Sequence, residues 1–491
     1  MTHQEQIDRA NKALTDPATA IKDDRFRLHY HLMPPIGWMN DPNGLIQFKG
    51  DYHVFYQHYP FEPRQGPMHW GHAKSADLVH WEHLPVALAP SEPYEMDGSG
   101  SAGGCWSGSA VEENGKLALI YTAHVDGNHP VEVQCLAVSR DGIRFEKETD
   151  NPVIAGPPQN EVFGFRDPKV WKHGDTWYLV IGCGKDGKGK ALLYQSADLC
   201  EWRCIGAAAE SDGTMGDMWE CPDLFPLGDD GRHVLIISPM NLGATKTMYV
   251  SGTFDYETGI LTSGYKERLD YGYDFYAPQT LIDDQGRRIL IAWMNIWGSS
   301  MPERADNWLG AMTIPRELKL EQDGTLRMLP VSELSKLRGT HHSVADRTIE
   351  AGVDLRLSAV RGDALEIVAE FDVNASDAES FGIRLRVSPD GNQYTEIGYR
   401  TDERTLFVDR TRSGIGDGGV SEVAVTPKED GRLKLHLFLD RSSVEIFANN
   451  GVKTMTNRIY PDPDSLGVVL FSSGGNALLD AFEAWELKSI W

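Results

Sequence analysis

Three acidic residues, each in a short and distinctive motif, are the side chains of this 491-residue chain best suited to do chemistry. Asp41 lies in the string WMNDPNG, Asp167 in FRDP and Glu220 in WECPD. Cleavage of a glycosidic bond needs one carboxylate that stays ionised as nucleophile or base, and one carboxyl group that holds a proton for the leaving oxygen. A third carboxylate can bind sugar hydroxyls through charge-assisted hydrogen bonds. If the three acids meet in one pocket, they therefore suit a glycosidase.

The neighbours of each acid indicate which role it takes. Asparagine amides and turn N–H groups stand beside Asp41 and favour its ionised form. Trp219 and Cys221 flank Glu220, and an apolar wall beside a carboxyl group raises its pKa, as a general acid requires. We therefore expect Asp41 to be the ionised group and Glu220 to be the acid.

Each motif taken alone has a plainer explanation. DPNG is a good turn sequence, an isolated glutamate is more often a surface residue, and Arg166 with Asp167 could be a surface ion pair of little energy. Function is favoured because the motifs recur at matching points of a five-fold repeat. Five glycine-led strands begin 55–65 residues apart, and a distinctive segment lies a dozen or fewer residues upstream of each. The five strands start at Gly50, Gly115, Gly174, Gly231 and Gly286.

The repeat predicts an all-β fold with a ring of five sheets. Residues 27–330 contain short strands separated by Gly, Pro, Asp and Asn turns, and a four-stranded blade with long loops would fill each repeat. Equivalent residues of such a five-bladed β-propeller converge on one axis, which would bring Asp41, Asp167 and Glu220 together. A single large sandwich is the rival all-β fold, but it would not explain the registered motifs.

The rest of the chain divides by pattern into three further segments. Residues 1–26 form a polar, helix-prone lead, and residues 331–345 form a helical or extended linker. Residues 346–491 contain runs that alternate apolar and polar positions, which is typical of a β-sandwich with one buried face per sheet. Because no acidic motif of the first kind recurs there, the chemistry is assigned to the N-terminal part.

Composition argues against several classes of partner. The 47 Lys and Arg residues against 72 Asp and Glu residues give a net charge of −25, which argues against nucleic acid. No apolar run approaches the roughly 18 residues of a membrane span, and the N-terminus has no apolar signal core. We therefore expect a cytoplasmic protein without a membrane partner. The six cysteines show no CxxC pair and no zinc spacing, and we expect them to be reduced.

The ordered set of motifs resembles that of glycoside hydrolase family 32, the β-fructofuranosidases. The resemblance runs from about His29 to the C-terminus. It rests on these strings, in chain order: WMNDPNG (38–44), FYQ (55–57), HWGH (69–72), WSGS (106–109), FRDP (165–168), WECPD (219–223), DFYA (274–277), PREL (315–318) and DRSSVEIF (440–447).

The resemblance implies a five-bladed propeller with a C-terminal β-sandwich, and a retaining mechanism without a metal or organic cofactor. It implies Asp41 as nucleophile, Glu220 as acid/base and Asp167 as transition-state stabiliser. Arg166 would also keep Asp167 ionised. Some relatives carry Trp where this chain has Gln65, so the resemblance does not define one wall of the leaving-group region. The fructose subsite that the resemblance implies is lined by Asn40, Gln57, Trp70, Trp106, Ser107, Arg166, Tyr276 and Trp297.

The substrate class that follows is a small fructoside: sucrose, sucrose-6-phosphate or a short fructo-oligosaccharide. A fructosyltransferase of the same architecture and an exo-acting inulinase or levanase stay open as alternatives. A non-catalytic carbohydrate-binding propeller fits less well because all three acids are intact, and a related pentosidase fits less well because of WMNDPNG and the sandwich. The sandwich could form a homodimer interface or extend the substrate cleft, and the sequence does not separate the two.

Overall fold

The computed structural model describes residues 1–96, 103–158, 162–228 and 230–491. These residues form a ring of five β-sheets followed by two further sheets that pack face to face. The predicted all-β class, a five-bladed propeller with a C-terminal sandwich, is therefore confirmed. Within the described part of the chain, no helix combines the length and the apolar character that crossing a membrane would need.

The chain begins with a helix that packs on the first blade. Helix α1 (His3–Thr15) starts with a capping box that satisfies two of its free backbone N–H groups. The Asn11 side chain accepts a hydrogen bond from Val86 N at 2.9 Å, which joins the helix to the outermost strand of the first blade. A short 3-10 helix, Pro17–Thr19, follows. The polar lead is thus an ordered helix on the propeller.

The first four blades each contain four consecutive antiparallel strands. The strands of the first two blades are β1 (Gly37–Phe48), β2 (Asp51–Tyr59), β3 (His69–Ser75), β4 (Glu82–Leu88), β5 (Gly104–Glu113), β6 (Lys116–His124), β7 (Glu132–Ser139) and β8 (Glu146–Lys147). The strands of the next two are β9 (Phe163–His173), β10 (Thr176–Lys185), β11 (Lys188–Ser196), β12 (Arg203–Glu210), β13 (Trp219–Pro226), β14 (Arg232–Pro239), β15 (Met248–Asp255) and β16 (Ile260–Arg268).

The fifth blade and the ring closure come from the next five strands. They are β17 (Tyr276–Ile282), β18 (Arg288–Trp293), β19 (Trp308–Leu309), β20 (Arg316–Leu320) and β21 (Leu326–Pro330), with a 3-10 helix, Pro302–Asp306, before β19. Strands β17, β18, β20 and β21 form the blade, whereas β19 pairs in parallel with β1 of the first blade. The innermost strands β1, β5, β9, β13 and β17 contact one another in cyclic order, so residues on them converge on the axis.

The glycines that define the repeat lie at the tight turns between the first and second strand of each blade. Gly50 and Gly115 have φ angles of +92° and +75°, which residues with a side chain rarely adopt. The strand register passes from Phe48 directly to Asp51, so this turn has two residues. The sequence repeat therefore comes from one hairpin turn per blade. Apolar side chains fill the spaces between neighbouring blades.

The sandwich contains twelve strands in two six-stranded sheets. Its strands are β22 (Arg338–Ile349), β23 (Leu355–Arg361), β24 (Ala364–Asp372), β25 (Ser380–Val387), β26 (Thr395–Arg400), β27 (Thr405–Asp409), β28 (Val420–Ala424), β29 (Arg432–Asp440), β30 (Ser443–Ala448), β31 (Lys453–Arg458), β32 (Gly467–Ser473) and β33 (Ala477–Leu487). One sheet has the order β22-β33-β24-β29-β30-β31 and the other β23-β32-β25-β26-β27-β28.

The segment predicted as a linker, 331–345, is divided between two elements. Ser332–Leu337 forms a 3-10 helix, and β22 begins at Arg338, so residues 338–345 already belong to the sandwich. Strand β22 lies at a sheet edge and most of its side chains are exposed. Because an exposed edge strand needs no apolar face, its sequence lacks the alternation that marks the other strands.

The sandwich contacts the fifth blade by extending its own sheet. The segment just before β17 runs beside β31, the edge strand of one sandwich sheet. Tyr271 N donates to Thr454 O at 2.9 Å, and Asp274 N donates to Thr456 O at 3.0 Å. Gly272 permits this approach, because a Cβ atom there would lie 2.0 Å from Thr456 O. The sandwich therefore helps to place the DFYA motif of the fifth blade.

Candidate active site

The three predicted acids line one cavity of about 570 Å³. Asp41 comes from β1, Asp167 from β9 and Glu220 from β13, so three different blades supply them. Gln65, at the position where the resemblance does not define the wall, lines the same cavity. Seven of the eight predicted subsite residues also line it: Asn40, Gln57, Trp106, Ser107, Arg166, Tyr276 and Trp297.

A β-bulge at the motif of each innermost strand directs these side chains into the cavity. In β1 the register shifts between Met39 and Pro42, around Asp41, and in β13 it shifts between Glu220 and Asp223. The innermost strands of the other three blades are irregular at the same place. A bulge leaves an extra residue unpaired and re-aims its side chain. Asp167 itself has a φ of +66°, a left-handed conformation that aspartate adopts more readily than most residues.

Asp41 is held by two neutral donors beside another acid. Asn40 Nδ2 donates to Asp41 Oδ1 at 3.1 Å, and Ser107 Oγ donates to Oδ2 at 2.9 Å. Burial raises the pKa of Asp41 to about 6, and the charge of Glu220 adds to the rise, although the two hydrogen bonds oppose it. Above about pH 6 Asp41 is therefore mainly ionised, with no cation bound to it among the described residues.

Asp167 is buried, with 5% of its surface exposed, whereas Asp41 and Glu220 are half-buried. Cys221 N donates to Asp167 Oδ2 at 2.9 Å, and Asp167 N donates to Thr122 Oγ1 at 3.0 Å. Burial raises the pKa of Asp167 to about 7, whereas the Arg166 charge lowers it and the two neighbouring acids raise it. Arg166 thus acts in the predicted direction, but burial outweighs it.

Glu220 is oriented by an arginine and a tyrosine. Arg166 Nε and Nη2 donate to Glu220 Oε1 at 3.1 and 2.8 Å, and the Tyr276 hydroxyl donates to Oε2. Arg166 is itself oriented by Glu132, whose Oε1 accepts from Nη1 at 3.0 Å. Tyr276 follows Asp274, which accepts from Arg410 Nη1 of the sandwich at 2.8 Å. The second domain therefore takes part in placing the groups around Glu220.

The predicted apolar wall beside Glu220 is wrong. Trp219 is fully buried, and its Nε1 donates to Met215 O at 2.6 Å, away from the carboxyl group. The physical reason is that successive strand residues point to opposite faces, so sequence neighbours are not neighbours in the cavity. Cys221 approaches the two aspartates instead, with Sγ 3.6 Å from Asp41 Oδ2.

Trp70 is the one predicted subsite residue that the structure does not bring to the cavity. It is fully buried, and its Nε1 donates to Trp106 O at 3.0 Å. Trp106 does line the cavity, and its ring stacks on His124 with 3.7 Å between ring centroids. Trp70 therefore lies behind Trp106 and helps to hold that part of the cavity wall in place.

Trp297 gives the cavity mouth an aromatic face. Its side chain is 41% exposed, and its ring stacks on Trp38 with centroids 5.6 Å apart. Aromatic faces of this kind pack against the apolar faces of sugars. Trp38 also donates from Nε1 to Asn40 Oδ1, so the residue beside Asp41 is fixed from the same side.

Two functional features were missed from the sequence. Glu132, on β7, completes the Arg166 contacts but belongs to no motif. The 239–246 loop, which starts at the last residue of β14 and leads towards β15, lines much of the cavity rim. Within it Met240 Sδ lies 3.4 Å from Arg166 Nη2. Neither could have been found from motif strings, because only the spatial arrangement of the blades brings them to the axis.

The site contains carboxylates, an arginine and aromatic rings. Among the residues that the structure describes, no group of three or more His, Cys, Asp or Glu side chains is arranged to hold a metal ion. All six cysteines are free thiols. Asp41 and Asp167 have raised pKa values, and Glu220 has its own donors, Arg166 and Tyr276. Three acids in such different surroundings can supply a nucleophile, a proton carrier and a hydroxyl-binding group.

Comparisons with known proteins give a consistent result over almost the whole chain. The Glycosyl hydrolases family 32 N-terminal domain matches residues 31–330, and the Glycosyl hydrolases family 32 C terminal domain matches residues 333–486. A sucrose-6-phosphate hydrolase of Escherichia coli is 42% identical, covering 95% of this chain and 96% of that protein. A raffinose invertase of Escherichia coli is 41% identical, covering 93% and 94%.

Solved structures agree with these matches. A GH32 beta-fructofuranosidase of Bombyx mori superposes with a TM-score of 0.86 at 36% identity, covering 100% of this chain and 99% of that one. A sucrose-6-phosphate hydrolase of Lactobacillus gasseri superposes with a TM-score of 0.85 at 26% identity, covering 98% and 97%.

Proposed function

The chain belongs to glycoside hydrolase family 32 and is a β-fructofuranosidase, and we propose that its substrates are sucrose, sucrose-6-phosphate and other short fructosides. The observation that supports this most is the meeting of Asp41, Asp167 and Glu220 from three blades in one cavity. The cavity holds only a small part of a polymer, which suits release of one terminal fructosyl unit. The named activities of the relatives above point to the same class of bond.

The proposed reaction has two steps. Asp41 attacks C2 of the fructosyl unit while Glu220 gives a proton to the glycosidic oxygen, and a covalent fructosyl-enzyme forms. Glu220 then takes a proton from water, which attacks C2 and releases fructose with retained configuration. Asp167 binds fructose hydroxyls and stabilises the positive charge that develops on the ring.

The hydrogen bonds of the free site fit these roles. Asp41 has only neutral side-chain donors on its oxygens, so its negative charge remains available to attack carbon. Glu220 is fixed in orientation by Arg166 and Tyr276, as a group that must deliver and recover one proton requires.

The test is a set of initial rates on sucrose, sucrose-6-phosphate, kestose, raffinose and inulin, with the products identified. We expect free fructose from the small substrates and slower turnover of inulin. Activity confined to long fructan chains would contradict the proposal. A fructosyltransferase would be recognised at high sucrose concentration, because glucose would then be released in excess over fructose.

A further inference from the structure

Two cations beside the cavity mouth have no acidic partner among the residues that the structure describes. Lys246 lines both the catalytic cavity and a second cavity of about 470 Å³ between the propeller and the sandwich, and Arg268 lines the second cavity. Within the described residues, no carboxylate oxygen lies within 4.0 Å of either cation. The two other cations of these cavities are paired: Arg166 binds Glu220, and Arg410 binds Asp274.

Lys246 and Arg268 line the same cavity, and both side chains donate to backbone oxygens of the 239–246 loop. Lys246 Nζ donates to Gly243 O at 3.2 Å, and Arg268 Nη2 donates to Ala244 O at 3.4 Å. The Arg268 guanidinium lies over the Tyr271 ring at 4.9 Å, which limits its freedom. Its Nε is buried and has no hydrogen-bond partner in the described part of the chain. Donor capacity is therefore left unused at this point.

The acids of the second cavity do not neutralise this pair. Glu422 is paired with Arg400 at 2.7 Å, and Asp417 accepts from Ser300 N at 2.6 Å. A positive spot thus persists next to the active site of a protein whose net charge is −25. That overall charge repels a dianionic substrate, so any phosphorylated substrate needs a local cation of this kind.

The spot lies on the side of the cavity where the leaving group must be. In the proposed reaction Glu220 protonates the leaving oxygen. Its register partner is Ser238, one residue before the 239–246 loop begins. Met240 of that loop contacts Arg166, which in turn binds Glu220. A sugar leaving from Glu220 therefore departs along the loop that carries Lys246.

We propose that Lys246 and Arg268 form a phosphate subsite for the leaving group, so that the enzyme favours a disaccharide with a phosphomonoester on its glucosyl unit. The inference rests on the proposed function and deepens it. A phosphomonoester has about two negative charges and three acceptor oxygens near neutral pH. An ammonium and a guanidinium with unused donors match those oxygens through charge-assisted hydrogen bonds.

The experiment compares kcat/KM for sucrose-6-phosphate and for sucrose in the full chain, in Lys246→Gln, in Arg268→Gln and in the double variant. We expect the ratio of the two values to fall about 10- to 100-fold in the double variant, because each charged hydrogen bond contributes to only one substrate. Arg268→Lys keeps the charge and should retain an intermediate ratio. Competitive inhibition by glucose 6-phosphate should weaken in parallel, and inhibition by glucose should weaken less.

The matched control is Lys266→Gln, on the same strand as Arg268. Lys266 is exposed and paired with Asp212, so its removal should leave the ratio unchanged. A ratio that stays constant in the double variant overturns the inference, as does a wild-type enzyme that cleaves sucrose but not its 6-phosphate. A wild-type enzyme that cleaves neither would instead contradict the proposed function.

Discussion

Carboxylates are buried in two regions of the molecule, and their pKa values shift in opposite directions in the two. At the interface of propeller and sandwich, burial opposes ionisation of Glu445, but Arg316 and His31 outweigh it and hold the pKa of Glu445 below its usual range. At the propeller axis, burial raises the pKa of Asp41 to about 6, since its donors Asn40 and Ser107 carry no charge.

The interface pairs nearly every charge that it buries. Arg316 is fully buried and also donates to Asp270, which accepts further bonds from Thr454 and Thr456 of β31. Asp440 of the sandwich accepts from His31 Nδ1 at 2.8 Å. These contacts join the two domains. They give Asp440 and Glu445 of the string DRSSVEIF a structural role far from the axis. Such a network fixes geometry, and removing one partner leaves the others unpaired.

At the propeller axis, by contrast, the charges of the carboxylates are not fully neutralised by cations. Buried carboxylates without a cation lower the free energy of unfolding. Their negative charge can instead stabilise the positive charge that develops on the sugar in the transition state. The surroundings of a carboxylate therefore set its chemistry, because the same residue types serve as structural and as reactive groups in one chain.

The strongest test of the contrast is to remove an acid from the axis. Asp41→Ala should lower kcat by roughly 10³- to 10⁵-fold, because the nucleophile is lost while the other groups remain. Glu220→Gln should fall by a similar factor on sucrose, whose leaving group needs a proton. Steady-state rates and circular dichroism spectra measure both effects. Near-normal turnover by Asp41→Ala would show that another group attacks the sugar.

A second test removes a cation from the interface. Arg316→Ala leaves Glu445 and Asp270 without their guanidinium, and the free energy of unfolding should fall by about 3–5 kcal/mol. Urea unfolding followed by tryptophan fluorescence measures the change. The matched control is Arg400→Ala, whose pair with Glu422 is partly exposed and should contribute under about 1 kcal/mol. Equal losses in the two variants would remove the distinction between the network and a surface ion pair.

These contrasts show what the sequence could and could not predict. The hairpin glycines repeat at fixed intervals, so the five blades and the convergence of Asp41, Asp167 and Glu220 were predictable. The direction of Trp219 was not, because Trp219 and Glu220 are successive residues of β13 and point to opposite faces, and the motif string does not show which face meets the cavity. Trp70 shows the same limit: the motif string contains it, but only the packed structure shows that it supports the cavity wall from behind.

Residues outside motifs were beyond prediction for a different reason. Glu132 reaches Arg166 across a blade boundary, and Lys246 lies in a loop that carries no motif and meets the cavity only in the assembled fold. Residues 338–345 of β22 fall in the predicted linker because their exposed side chains carry no apolar alternation. Local patterns predict elements, whereas contacts between elements need the assembled fold.

A third test replaces one buried carboxylate in each region by the amide of the same shape. The folded-state pKa of Asp41 lies above its ordinary value, so Asp41 costs no stability below about pH 4 and costs most above about pH 6. Asp41→Asn should therefore raise the free energy of unfolding by roughly 1–3 kcal/mol above pH 7, and the gain should vanish near pH 4. Glu445→Gln should do the reverse and destabilise, because it weakens bonds to Arg316 and His31.

Urea midpoints measured across this pH range decide the third test. A gain for Asp41→Asn that does not depend on pH would mean that packing, and not ionisation, is responsible. A gain for Glu445→Gln would mean that the interface, too, leaves its charge uncompensated.

The smallest expected effect concerns the hydroxyl that Ser107 donates to Asp41. This bond lowers the pKa of Asp41, so Ser107→Ala should raise it further, and the acidic limb of kcat/KM should move up by roughly 0.5–1 pH unit. Because the nucleophile must be ionised, activity is present above the limb and is lost as the pH falls through it. Ser109→Ala, on the same strand but bonded to Val170 N, is the control and should leave the limb in place. A limb that does not move in Ser107→Ala would assign it to a group other than Asp41. If the limb does move, a neutral hydroxyl at the axis tunes the acid only slightly, whereas at the interface a guanidinium holds its carboxylate ionised throughout.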